Sequence, residues 1–299
     1  MLFHWNYEKL AGHMEDNQIL QRESLKESID TMFSFASQVS YEQDHLLPVI
    51  QASKSLIGMK LDSPPRNLLK WLENYIQKFQ LDHQFPEYIN DEGKPEVLSM
   101  HHLEKLIVSN KIEESQKYLT FLIQTANPSY IMELLLGISL HHSSSSTLFC
   151  WSAFKSIQFM DLKDSMRILF LSLDCLYNSQ DGNNEEKDAV DKFYLYCHSH
   201  HIKEKKMIRS GKIIPSLIDK IKIIKDENDL DIIIPEVLLE FIFKEGEVGL
   251  VNYLSMLEID EISPDRILLL DALRTAHKYA PESDDICGFK KGKMVKIIC

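Results

Sequence analysis

Glycine and proline are scarce in this chain, ten of each in 299 residues, where average usage is roughly 7% and 5%. A β-sandwich or barrel needs turn residues about every ten positions, so the shortage argues against an all-β fold and for helices joined by few sharp turns. No apolar run approaches the roughly 20 residues that span a bilayer. The start, MLFHWNYEKLAGHMED, has neither a basic leader nor a continuous apolar stretch, which predicts a cytoplasmic chain without membrane contact. The five cysteines, Cys150, Cys175, Cys197, Cys287 and Cys299, are odd in number and form no CxxC pair. Neither a disulfide framework nor a thiolate zinc site is indicated, and reduced, mostly buried thiols are expected.

Positive charge is also in short supply. Lys and Arg number 33 against 45 Asp and Glu, a net charge of −12, which repels a phosphate backbone and points away from nucleic acid as a partner. The basic run Lys203, Lys205, Lys206, Arg209 and Lys212 is interrupted by Glu204 and holds no aromatic residue; it reads as a solvated connector. The tail lysines Lys290, Lys291, Lys293 and Lys296 read as a soluble end. A phosphate-binding glycine loop, HExxH, a nucleophile elbow, and kinase and EF-hand signatures are all missing.

What the chain does contain is helical periodicity. Leu25, Ile29, Met32, Phe33 and Ala36 follow one helix face, as do Leu68, Leu69, Leu72, Tyr75, Ile76 and Phe79. Ser63 before Pro64 and Pro65 supplies a polar cap and a preset φ for the start of the latter helix. Further faces run through Leu162, Met166, Leu169, Leu173, Leu176, through Ala189, Val190, Phe193, Cys197, and through Ile214, Leu217, Ile218, Ile221, Ile224. Only Tyr88–Ile89 and the last residues Met294–Ile298 have a strand-like character. The stretch from Asp82 to Pro95 and the acidic run from Asn178 to Asp188 read as loops. The acidic run is the candidate boundary between an N-terminal region, 1–180, and a C-terminal region, 188–299; a long surface loop within one domain is the alternative.

An internal similarity stands out. YLTFL at Tyr118–Leu122 is echoed by YLSML at Tyr253–Leu257, each preceded by a predicted helix carrying Leu106–Ile107 or Phe241–Ile242. A proline and a further helix follow each copy. Pro128, Ile131, Leu134 and His141 then occupy the same relative positions as Pro264, Ile267, Leu270 and His277. A duplicated three-helix unit, packed as a pseudo-symmetric pair, is the expectation; an open solenoid would need more copies.

Histidine is the candidate for chemistry, with 12 in the chain. Equivalent positions in a pseudo-symmetric pair can converge on the axis, so His141 and His277 are candidate ligands for one transition metal or small molecule. A histidine in the last turn of a helix is, however, also favoured there by the helix dipole. Glu42 and His45 form an ExxH, the half-motif that di-iron bundles use twice, but a second copy is missing and an ordinary helix surface is the plainer reading. His101 and Glu104 show the reversed spacing. The cluster CHSHH at Cys197–His201 sits at a predicted helix end before the basic connector and reads as a surface feature. Cys150 beside Trp151, on the stripe Leu148, Trp151, Ala153, Phe154, reads as packed core. The serines Ser143–Ser146 read as a turn and N-cap.

The arrangement of helix, short turn, second helix, proline-started third helix and histidine resembles the questin-oxidase-like helical proteins, and is similar to helical domains beside Rieske modules. The likeness covers Leu103–Trp151 and Leu238–Tyr279. It implies an oxidative function, with His141 and His277 as the residues carried over. The chain has no HPxIH-like pair and no CxH and CxxH pairs for a Rieske cluster.

The sequence thus predicts an all-α array of roughly 12 to 14 helices. Two functions are open: a His-lined pocket for a metal or small molecule, possessed of oxidoreductase chemistry, or a non-catalytic helical scaffold whose acidic surface binds another protein. Fold alone does not choose between them.

Overall fold

The computed structural model of the chain describes residues 15–41, 46–81, 95, 97–178, 188, 190–195, 197–198 and 248–279. Among these the protein is all-α, with no strand, and no helix is long and apolar enough to cross a membrane. Glu42, His45, His200, His201, the extended candidates Tyr88–Ile89 and Met294–Ile298, both basic runs, the 214–224 face, Phe241–Ile242 and most of the two predicted loops lie outside the described residues.

The helices are α1 Glu15–Ala36, α2 Leu46–Ile57, α3 Arg66–Ile76, α4 Met100–Val108, α5 Ile112–Ile123, α6 Pro128–Ser139, α7 Ser144–Ser156, α8 Leu162–Asn178 and α9 Pro264–Tyr279. Residues 190–195, 197–198 and 248–256 are helical too. The chain divides into two compact units, the first Met1–Gln51 with Glu73–Gly182, the second Ala52–Leu72 with Asn183–Cys299.

The first unit is organised around α6. Its sequence, PSYIMELLLGIS, carries a single charge, and Ile131, Met132, Glu133, Leu135, Leu136, Ile138 and Ser139 are all buried. A helix apolar on nearly every side must be covered on every side, and α4, α5, α7 and α8 all pack against it. Local chemistry sets where these helices start and stop. Asn127 accepts a hydrogen bond from the Ser129 amide at 2.9 Å, with Pro128 as first helical residue. Ser143 accepts from the Ser146 amide at 3.2 Å, so the serine run is the cap of α7 that its composition suggests. Asp161 accepts from Asp164 at the start of α8. At the end of α4, Asn110 adopts φ 55°, its amide donating to the Ile107 carbonyl while the Lys111 amide donates to that of Leu106. That is a Schellman turn, with asparagine where glycine is usual.

The predicted stripes are largely inward. Leu25, Ile29, Met32, Phe33 and Ala36 are buried, as are Leu68, Leu69, Leu72, Tyr75 and Ile76. Two details differ. The Pro65 carbonyl accepts the first bond of α3, from the Leu69 amide, so the helix starts after Ser63–Pro64–Pro65 and Ser63 is not its cap. Leu162 is exposed, because as the first residue of α8 it precedes the turn that packs.

The two similar segments agree and differ position by position. Pro128 and Pro264 both open helices behind polar caps, Asn127 and Ser263; Ser263 accepts from the Arg266 amide at 3.2 Å. Tyr118 and Tyr253 are buried, as are Ile131 and Ile267. Phe121 is buried while its counterpart Met256 is exposed, and a 3-10 turn, Ile259–Glu261, lies only in the connection of the second segment.

Candidate functional site

His141 lies just past Leu140, the residue that caps the end of α6, its amide donating to the Ile138 carbonyl, and its side chain is exposed. His277 lies in the last turn of α9 and is half-buried. The first residue belongs to the first unit and the second to the other. His101 reaches Glu104 at 3.2 Å on the α4 surface, where solvent screening leaves such a pair little weight. Among the described residues, no group of three or more His, Cys, Asp or Glu side chains is placed to hold a metal ion.

The chemistry-bearing side chains that do come together are elsewhere, in the second unit. Tyr194 and His198 stand four residues apart, among the helical residues 190–195 and 197–198, and their rings stack, centroids 4.2 Å apart. Both face Asp271 of α9. The Tyr194 hydroxyl donates to Asp271 Oδ2 at 2.9 Å, and His198 Nε2 lies 3.2 Å from the same oxygen. Arg274 Nε donates to Asp271 Oδ1 at 2.8 Å. Thr275 Oγ1 lies 3.2 Å from His198 Nε2 and 3.3 Å from Arg274 Nη2. Tyr194, His198, Asp271 and Thr275 are each 0% exposed. Cys197 is buried beside them.

Burial here overturns the surface reading of Cys197 and His198. Val190, Phe193, Tyr194 and Cys197 pack inward, and a helical period carries His198 to that side with Tyr194. The spacing explains the cluster: Tyr194 and His198 recur at i and i+4, and Asp271, Arg274 and Thr275 at i, i+3 and i+4, each set sharing one helix face.

The electrostatics follow from enclosure. Burial pushes the Tyr194 phenol well above its ordinary value, and the Asp271 negative charge and hydrogen bond add to that, opposed by Arg274. Burial likewise raises the Cys197 thiol, with the Asp271 charge adding; a thiol held protonated is a poor nucleophile and a poor metal ligand. With its proton on Nε2, His198 donates to Asp271. A carboxylate orienting an imidazole is what general-base catalysis uses, but here both partners are closed off. For a substrate to touch His198, the helical segment that carries Tyr194 and His198 would have to part from α9.

Smaller polar groupings serve packing in the first unit. Ser37 donates to Asp164 Oδ1 at 3.0 Å, with Arg167 at 3.4 Å from the same atom. The Lys155 ammonium stands 5.8 Å from the Trp151 ring centre, and Cys150 is core, as its stripe predicts. At one end of this unit Tyr130, Phe159 and Leu162 are exposed. Short connections make α6, α7 and α8 antiparallel neighbours, which brings the starts of α6 and α8 together with the turn Ile157–Phe159, and that turn does pack on α6.

Compared with known proteins, the chain matches no family, no curated protein and no solved structure.

Proposed function

We propose that this protein is a non-catalytic helical scaffold that binds another protein. The observation that carries the reading is the closure of the Asp271 cluster. The described residues best suited to acid–base chemistry are 0% exposed and hydrogen-bond to one another, joining the helical segment of Tyr194 and His198 to α9. A buried network shared by two helices favours one pairing and one register of those helices. The net charge of −12 favours a partner with a basic surface, through steering at low ionic strength. The exposed position of His141 lends no weight to its sharing a ligand with His277.

Native mass spectrometry of the full chain, purified without tag or chelator, tests this against a metal or small-molecule site. The scaffold reading expects the mass of the bare polypeptide. A stoichiometric metal or small molecule that disappears in His141→Ala or His277→Ala would overturn it and restore the His-lined pocket.

A further inference from the structure

We draw no further inference here: the strongest candidate, the exposed apolar trio Tyr130, Phe159 and Leu162 at the end of the first unit where α6 and α8 begin, carries nothing because nothing in the structure shows what covers it.

Discussion

The two units bury polar groups in different ways. In the first, several buried hydroxyls bond back to their own helix: Ser139 to the Leu136 carbonyl, Ser156 to that of Ala153 and Thr120 to that of Lys117. Such bonds satisfy a hydroxyl without committing a neighbouring helix. Other hydroxyls there do cross between helices, at separate places: Ser37 meets Asp164, Ser115 meets Tyr177 at 2.7 Å, and Thr147 donates to the Ser139 carbonyl at 2.8 Å. In the second unit the buried Tyr194 and His198 reach across to α9 and converge on one carboxylate. A back-bonded hydroxyl is dispensable, whereas a shared carboxylate is not, since its removal strands every donor that meets there.

The largest expected effect tests that contrast directly. Asp271→Ala leaves Tyr194, His198 and Arg274 facing a buried void without their acceptor, a loss of about 3–5 kcal/mol by the measure of broken buried pairs. Hydrogen exchange followed by mass spectrometry reads both units in one sample. Peptides covering 264–279 should lose protection while those covering 128–156 keep theirs. Equal loss in both would erase the distinction between the units.

Alkaline pH should sharpen it. Cys197 and Tyr194 are both held protonated in the fold, so the unfolded chain releases protons that the folded chain retains. Their contribution to stability is therefore complete below the unfolded values, about 8.5 for the thiol and 10 for the phenol, and is lost as pH rises past them. Each group weakens the second unit by up to about 1.4 kcal/mol per pH unit once it titrates in the unfolded state. Urea midpoints between neutral pH and pH about 10 should fall, and Cys197→Ala should remove the part that begins near 8.5. A midpoint flat across this range in the unmodified chain would contradict the enclosure of both groups.

Much of this fold is legible in the sequence and the cluster is not, for a physical reason. Apolar periodicity identifies the buried faces of α1 and α3 because a helix needs only its own spacing to declare a face. Caps are equally local: Ser143 and Pro128 announce helix starts within a single turn. The Asp271 cluster pairs residues 73 to 77 positions apart, and a polar residue read alone points outward by default. Its signal is the recurrence of polar residues inside an apolar stripe, Tyr194 and His198 on one helix and Asp271 and Thr275 on another. Composition singles out CHSHH and symmetry singles out His141 and His277, whereas the imidazole that meets a buried carboxylate is that of His198.

The smallest effects set hydroxyl against hydroxyl. Thr275→Val keeps the shape and deletes the oxygen beside His198, with an expected cost of about 1–2 kcal/mol. Ser156→Ala deletes an equally buried oxygen that bonds to its own helix, and should change stability by about 0.5 kcal/mol in either direction. Chemical denaturation of the two variants side by side checks the difference. A larger loss from Ser156→Ala would reverse the ranking of the two units.

The central claim is that His198 and Asp271 act as one structural unit rather than as two residues that happen to be buried. A double-mutant cycle measures this, with His198→Gln, Asp271→Asn and the pair compared by urea unfolding of the full chain at neutral pH. The account predicts a coupling above about 1 kcal/mol, because each single change strands the partner that the other has already removed in the double variant. Changes that add to within about 0.5 kcal/mol would contradict it.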